Sequence, residues 1–144
     1  MRAGAMIKGM AWYAALCAVA IIAIFAQIDR HARFEPGSAV LVPAPMRGFA
    51  QQQLAVQAIA GGDGEAGIML ATELLRRRPL PAENITVFAQ ASTVAGDPEQ
   101  AVRAIVLSAG RGWRDLVAQE ITAEVALADG DYAVAADRIA ALWA

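Results

Sequence analysis

Cysteine and histidine are almost absent from the chain, and their scarcity excludes several classes of protein. The single cysteine, Cys17, cannot form an internal disulfide and lies in an apolar run, where we interpret it as a small buried hydrophobic residue. The single histidine, His31, has no cysteine or acidic cluster at ligand spacing around it, so we expect no metal site. No histidine follows it that could activate a nucleophile. We therefore expect no catalytic residues, no cofactor and no enzyme activity.

Aromatic and β-branched patterns are also scarce. The chain has 3 Trp, 2 Tyr and 4 Phe, and its hydrophobic fraction of 58% is dominated by alanine. Runs of Val, Ile, Thr and aromatic residues with a period of two are missing, which argues against a sheet. Alanine has the highest helix propensity and allows helices to approach closely. The composition therefore predicts an all-α fold.

The charges are unevenly distributed. All 14 acidic residues lie at or after Asp29, and the same stretch contains 10 arginines and no lysine, which gives it a net charge of −4. Nucleic-acid-binding proteins present a basic face to the phosphate backbone. We therefore expect no nucleic-acid partner.

Residues 9–26 carry no charge and are long enough to cross a membrane as a helix. Their length of about 27 Å approaches the hydrocarbon thickness of about 30 Å. Trp12 and Tyr13 lie near one end, where amphipathic rings favour the membrane interface. We predict a transmembrane signal-anchor helix over 9–28, preceded by an N-terminal flank, 1–8. The alternative is a cleaved signal peptide, for which the apolar run is unusually long and Ile24 and Ala26 form a poor cleavage site.

The orientation of this helix follows from the charges that flank it. Arg2 and Lys8 precede it, and Arg30 and Arg33 follow it, so the positive-inside rule gives nearly equal counts. A short N-terminal flank and a net acidic body favour a cytoplasmic N-terminus and a body outside the cytoplasmic membrane.

Residues 29–45 are predicted to be a linker, because Pro36, Gly37, Pro43 and Pro45 interrupt regular helix. Helical signals then follow one another to the end of the chain. We predict helices near 46–60, 64–77, 82–95, 98–109, 115–128 and 131–143. Asp97, Pro98 and Gln100 form an N-cap, a first-turn proline and a capping-box pattern.

Three Gly-Asp dipeptides occur in this region, each 34 residues from the next: Gly62-Asp63, Gly96-Asp97 and Gly130-Asp131. Each glycine is predicted to end a helix with a left-handed cap, and each aspartate to begin the next helix. Small residues recur seven positions before and five positions after each glycine, which predicts close helix crossings: Ala55, Ala89, Ala123, Gly67, Ala101 and Ala135. A fixed period of this length is typical of a helical repeat array.

The segment 46–144 resembles the tetratricopeptide repeat (TPR) family in a degenerate, membrane-anchored bacterial form. The resemblance rests on the 34-residue period, the small-residue pairs, the Gly-Asp turns and Pro79. The early aromatic residue of the family is replaced by Gln51, Ile85 and Gln119. The resemblance implies a TPR-like α-solenoid of about three helix–turn–helix units. In that fold the first helix of each unit lines a concave groove.

Carried over by position, the groove residues are Phe49, Gln52, Val56, Ile59, Glu83, Thr86, Gln90, Thr93, Val117, Glu120, Glu124 and Leu127. None of these is Lys, Arg or Asn, so we do not expect the carboxylate clamp of the chaperone-binding members. A peptide with basic and apolar residues is the expected ligand. The alternative is a groove that binds nothing. Glu120 and Glu124 lie one helical turn apart, and we interpret them as an acidic patch rather than an acid–base pair.

The last residues of the chain provide a second candidate contact. The sequence stops inside the second helix of the third unit, without the polar capping helix with which repeat arrays normally finish. Either the chain is a fragment of a longer protein, or a partner or a second copy covers Ile139, Leu142 and Trp143. Trp143 would be a natural anchor residue for such a contact.

Together these features predict a membrane-anchored scaffold or assembly factor that recruits a protein partner to the bacterial inner membrane. The membrane contact is made by residues 9–28, and the repeat domain is periplasmic. The alternative is a structural accessory subunit of a larger membrane complex. In that case small residues on one side of the anchor would support helix packing: Ala11, Ala14, Ala15 and Ala18.

Overall fold

The computed structural model describes residues 2–112 and 114–143, without the side chains of residues 2–9. Met1 of the predicted flank, and Trp113 and Ala144 of the predicted repeat segment, lie outside the described residues. The described residues form α-helices and two 3₁₀ helices and contain no strand, which confirms the all-α prediction. The α-helices are α1 (Arg2–His31), α2 (Phe49–Ala60), α3 (Gly64–Arg77), α4 (Ala82–Val94), α5 (Pro98–Arg111), α6 (Leu116–Ala128) and α7 (Tyr132–Leu142). The bounds of α2–α7 match the six predicted helices to within a few residues.

The chain divides into two compact units, Met1–Ala50 and Gln51–Ala144. In the first unit, α1 is one continuous helix of 30 residues that includes residues 2–8 of the predicted flank, a segment without proline. Its residues Met10–His31 are long and apolar enough to cross a membrane, judged by length and composition. Every side chain from residue 10 to residue 24 is exposed, so the interpretation of Cys17 as a buried residue is wrong.

Two 3₁₀ helices, Pro36–Leu41 and Ala44–Met46, occupy about half of the predicted linker. Pro36 and Pro45 lie in the first turns of these helices, where the missing N–H of proline costs no hydrogen bond. Val42 is buried, with 1% of its surface exposed, whereas Val40 and Leu41 are exposed. The segment is therefore folded, although it leaves some of its largest apolar side chains uncovered.

The carboxylate of Asp29, in the last turns of α1, caps the beginning of α2. Asp29 is buried and accepts hydrogen bonds from the backbone N–H groups of Gly48 at 2.8 Å, Phe49 at 3.1 Å and Ala50 at 2.9 Å. The first N–H groups of a helix have no partner within the helix, and negative charge is favoured at that end. Asp29 therefore closes the segment 30–47 into a loop with fixed ends.

In the second unit, α3 contacts α4, α4 contacts α5, α5 contacts α6, and α6 contacts α7. Helix α4 also contacts α6. The core contains two clusters of buried apolar residues. One cluster comprises Ala55, Ala71, Leu74, Val87 and Ala91. The other comprises Ile85, Ala89, Ala104, Ile105, Ala109 and Ala118. Phe88 packs against both clusters and so joins them across α4.

The three Gly-Asp corners have the same geometry. Gly62, Gly96 and Gly130 have φ values of 77°, 82° and 76°, in the left-handed region that glycine adopts without strain. At each corner the glycine N–H and the aspartate N–H donate to carbonyls of the preceding helix, at 2.8–3.2 Å, in the Schellman pattern. The predicted left-handed caps are confirmed at all three positions.

The aspartates of these corners begin the next helices, as predicted. The carboxylates of Asp63, Asp97 and Asp131 accept hydrogen bonds from the backbone N–H groups of Ala66, Gln100 and Val134. The capping-box prediction at Gln100 is wrong, however. The Gln100 side chain accepts a hydrogen bond from the hydroxyl of Ser92 at 3.0 Å, and the Asp97 N–H donates instead to the carbonyl of Ser92.

The six small residues predicted at the helix crossings are all buried. Gly67 shows how close the approach is, because a Cβ atom placed on it would lie 3.3 Å from Ile59 Cγ1 and 3.5 Å from Ala91 Cβ. Gly67 on α3 therefore packs closely against both α2 and α4. The end of α7 is less covered, with Ile139 41% and Trp143 88% exposed.

Candidate interaction surface

The predicted groove positions of α4 and α6 form an exposed surface, with one exception. They include Glu83, Gln90 and Thr93 on α4, and Val117, Glu120, Glu124 and Leu127 on α6. On each helix the spacing of three, four or seven residues places these side chains on one face. Because α4 and α6 contact each other, the two faces are neighbours. We refer to these seven residues as the α4–α6 surface.

Thr86, which was predicted to line the groove, is the exception. It is buried, with 6% of its surface exposed, and its hydroxyl donates to the carboxylate of Asp115 at 2.5 Å. The expectation that Thr86 is available to a ligand is wrong, because α4 turns this position toward α5 and the beginning of α6.

The predicted groove residues of α2 are less exposed than those of α4 and α6. Gln52 and Ile59 are half-buried, and Ile59 packs against a core cluster, while Val56 is 38% exposed. Phe49 is half-buried and belongs to the first unit, where the Arg33 guanidinium lies 5.5 Å from the centre of its ring. The candidate surface is therefore best defined on α4 and α6.

The α4–α6 surface is acidic. Helices α4 and α6 contain no lysine or arginine, whereas Glu83, Glu120 and Glu124 are all exposed on this surface. Arg114 lines the same cleft as Glu83, whereas no cation is contributed by α4 or α6 beside Glu120 and Glu124. Like charges on one helix face create a potential that attracts cations. The surface therefore favours a ligand that carries basic residues.

Two depressions contain residues of this surface. A cleft of about 420 Å³ lies at the beginnings of α4 and α6 and brings Glu83 and Val117 to the same opening. A smaller pocket of about 170 Å³ lies among α4, α5 and α6, with Gln90 and Thr93 at one side. Its apolar lining includes Ala89, Ile105 and Ile121. The surface thus combines acidic side chains with space for small apolar groups.

A buried polar network lies beneath the α4–α6 surface. The hydroxyls of Thr86 and Ser108 are 2.8 Å apart, and Ser108 lies 3.1 Å from the same Asp115 oxygen that Thr86 contacts. Ser108 also lies 2.8 Å from the carbonyl of Ala82. The other Asp115 oxygen caps α6 by accepting from the Ala118 N–H at 3.2 Å. Asp115 therefore holds the start of α6 to both α4 and α5.

A second network connects the other side of α6 to its neighbours. The amide of Gln119 is fully buried and donates to the carbonyls of Ala109 at 2.9 Å and Gly112 at 3.2 Å. Arg138 on α7 donates to the carbonyl of Ala109 at 3.2 Å. Gln119 therefore joins α6 to the end of α5 through hydrogen bonds.

Sequence reasoning did not find these networks. Asp115 could have been recognised as the N-cap of α6, since it directly precedes that helix, but its contacts with Thr86 and Ser108 depend on how three helices pack. The pair of hydroxyls beside a carboxylate has no imidazole partner within the second unit, which contains no histidine. The hydrogen bonds of this network rigidify the packing of α4, α5 and α6.

The described part of the chain contains no group of three or more His, Cys, Asp or Glu side chains that could hold a metal ion. No protein-family model, curated protein or solved structure matches the chain significantly. The function must therefore be inferred from the residues and contacts described above.

Proposed function

We propose that the chain is a single-span membrane protein whose TPR-like α-solenoid recruits a protein partner to the bacterial inner membrane. It acts as a scaffold or assembly factor and not as an enzyme. Its N-terminus is cytoplasmic and its repeat domain periplasmic. The α4–α6 surface binds a segment of the partner that carries basic and apolar residues.

The solenoid part of this proposal is supported by the spacing of the corners. Three Schellman caps with the same hydrogen bonds recur at the same interval, and each is followed by an aspartate that caps the next helix. Helices α4 and α6 are the first helices of the second and third proposed helix–turn–helix repeats. They contact each other, as the first helices of a stacked array must.

The membrane part is supported by α1. Side chains from Met10 to Ile24 are exposed, although almost all are apolar, and water would disfavour such a surface. A lipid environment removes this cost, and the helix is long enough to cross it.

The observation that carries the binding proposal is the exposed acidic α4–α6 surface on a tightly connected support. Helices α4 and α6 contribute no cation to it, and Arg114 lies at the Glu83 end, so Glu120 and Glu124 on α6 are its acidic centre. The backbone beneath is fixed by Asp115 and Gln119. A rigid surface loses little entropy on binding, so charge and shape can be used for recognition.

Charge reversal tests this proposal. We expect Glu120→Lys with Glu124→Lys to abolish co-purification of the partner with the full-length protein in mild detergent. The control is Glu65→Lys with Glu99→Lys, which reverses two exposed charges in the first turns of α3 and α5. Its melting temperature is measured alongside, because acidic residues in a first turn stabilise the helix. Retention of the partner by the α6 variant, or equal loss from both variants, would contradict the assignment of the surface.

Stoichiometry distinguishes the recruiter from a structural accessory subunit. A recruiter loses its partner on dilution, because its complex with the partner is in equilibrium with the two free proteins. Co-purification at a fixed ratio through extended dilution would instead favour a subunit that is permanently built into a membrane complex.

A further inference from the structure

An open groove lies where the candidate membrane helix ends. It occupies about 690 Å³ between the last turns of α1 and the first 3₁₀ helix. Ile24, Ile28 and Leu41 line its apolar part, and Arg30, His31 and Ser38 contribute polar groups. All of these residues belong to the first unit.

The polarity of the groove changes along α1. Ile24 and Ile28, with the uncharged Gln27 between them, precede Arg30 and His31. The distance from Ile24 to His31 along the helix is about 10 Å. In a membrane-spanning helix that leaves the bilayer near His31, the apolar part would lie at the depth of the acyl chains. The polar part would then lie at the depth of the headgroups.

The two nearby carboxylates, of Asp29 and Glu35, already contact other groups, which leaves the Arg30 guanidinium as the cation at the polar end of the groove. The Asp29 carboxylate caps α2, and Glu35 lies 3.2 Å from His31 Nε2. The Ser38 hydroxyl donates to the backbone carbonyl of Glu35. Arg30 is exposed, and its guanidinium has no hydrogen bond or ion pair with any residue in the described ranges.

A second cation, Arg33, and two exposed apolar side chains, Phe34 and Leu41, belong to the same unit as the groove. Arg33 is exposed, and its guanidinium lies 6.0 Å from the ring of Phe34 and 5.5 Å from the ring of Phe49. Phe34 is 78% and Leu41 64% exposed. Basic and aromatic side chains beside an apolar helix end are typical of the membrane interface, where anionic lipids attract them.

We propose that this groove binds one anionic phospholipid, with the phosphate at Arg30 and one acyl chain along Ile24, Ile28 and Leu41. The inference depends on the proposed membrane span of α1. The charge of Arg30 selects a lipid with a net negative headgroup, and the apolar wall selects a diacyl lipid over a free phosphate. The groove lies next to the bilayer that would supply such a lipid.

Native mass spectrometry of the full-length protein tests the proposal. The protein is delipidated in detergent and then titrated with phosphatidylglycerol or with phosphatidylcholine. We expect one phosphatidylglycerol to bind in preference to phosphatidylcholine. Arg30→Gln removes a charge-assisted hydrogen bond and should weaken this binding at least about tenfold. Leu41→Glu places a carboxylate in the acyl part and should also prevent binding.

The control variant is Arg103→Gln, which removes an exposed arginine of α5 and should leave lipid binding unchanged. Equal affinity of wild type and Arg30→Gln would overturn the site, as would equal binding of both lipids. A lipid-free mass of two chains would overturn it in favour of a second copy.

Alkaline carbonate extraction of membranes separates the failure of this site from failure of the proposed function. If the wild type stays in the membrane pellet while Arg30→Gln binds lipid normally, only the lipid site is wrong. Release of the wild type into the supernatant would contradict both the membrane span and the lipid site.

Discussion

Gly64 lies directly against the backbone of Ala95, which is the C-cap of α4. A Cβ atom placed on Gly64 would lie 2.5 Å from the Cα and 2.6 Å from the backbone nitrogen of Ala95, closer than non-bonded atoms approach. The start of α3 therefore touches the end of α4 with no side chain between them. This contact fixes how closely α3 and α4 approach each other.

We expect Gly64→Ala to lower the free energy of unfolding by about 1–3 kcal/mol, because the added methyl group meets backbone that cannot move aside. Thermal unfolding of the full-length protein in detergent, followed by circular dichroism at 222 nm, measures the effect. Gly110→Ala on α5 is the matched control, since no atom lies within 4 Å of the added methyl. It should be neutral or stabilise by about 0.5–1 kcal/mol. Equal melting temperatures for the two variants would show that the close contact is absent.

The change in stability caused by a substitution at Gly96 should depend on the backbone conformation of this residue rather than on the space around it. Its φ is 82°, and no atom would lie within 4 Å of an added Cβ. We expect Gly96→Ala to cost about 1 kcal/mol, and Gly96→Val more, because β-branched residues tolerate the left-handed region poorly. Gly96→Asn should cost less than either, since asparagine adopts this conformation more readily. The same thermal measurement gives the order of the three variants, and a destabilising Asn with a harmless Val would contradict the cap.

Replacement of Asp115 should be more costly than replacement of another N-cap. Asp115→Ala removes the cap of α6 and the acceptor of the Thr86 and Ser108 hydroxyls, so we expect a loss of about 2–4 kcal/mol. Asp131→Ala removes only the cap of α7 and should cost about 0.5–2 kcal/mol. A comparison of the two melting temperatures tests the network. If Asp131→Ala has the larger effect, the contacts of Asp115 with α4 and α5 contribute little.

Asp29 should protect the first amides of α2 from hydrogen exchange. Asp29→Ala leaves the N–H groups of Gly48, Phe49 and Ala50 without their acceptor, so we expect their exchange to accelerate at least about tenfold. Asp29→Asn keeps one carbonyl oxygen and should have an intermediate effect. Exchange measured by mass spectrometry on peptides that cover residues 46–52 gives the result, with peptides from α5 as the internal reference. Unchanged exchange in Asp29→Ala would contradict the cap.

The sequence predicted those features that depend on a few neighbouring residues. Gly62, Gly96 and Gly130 marked the corners, because a left-handed cap and the aspartate after it are local requirements. The positions of α2–α7 followed from these signals. Alanine patterns also identified buried positions such as Ala55, Ala89 and Ala123, although they did not show that Gly67 packs against α4 as well as α2.

The features that the sequence did not predict depend on distant contacts. Asp29 caps a helix that begins about 20 residues later, and Thr86 donates to Asp115, 29 residues away. Nothing in the local pattern distinguishes Thr86 from Gln90, which remains exposed on the same helix. Gln100 matched a local capping box, but Ser92, one turn before the corner, offers a competing donor that fixes the side chain elsewhere.

Site-specific photocrosslinking in intact membranes tests the central claim most directly. A photoreactive residue is introduced in turn at Gln90 and Glu124 on the α4–α6 surface, and at Glu65 and Val106 on α3 and α5. All four positions are exposed, so they react equally with random collisions. We predict that mass spectrometry will identify one common membrane-associated partner crosslinked at Gln90 and Glu124 but not at Glu65 or Val106. Equal crosslinking at all four positions, or a partner captured only at Glu65 and Val106, would contradict the α4–α6 surface as the recruiting site.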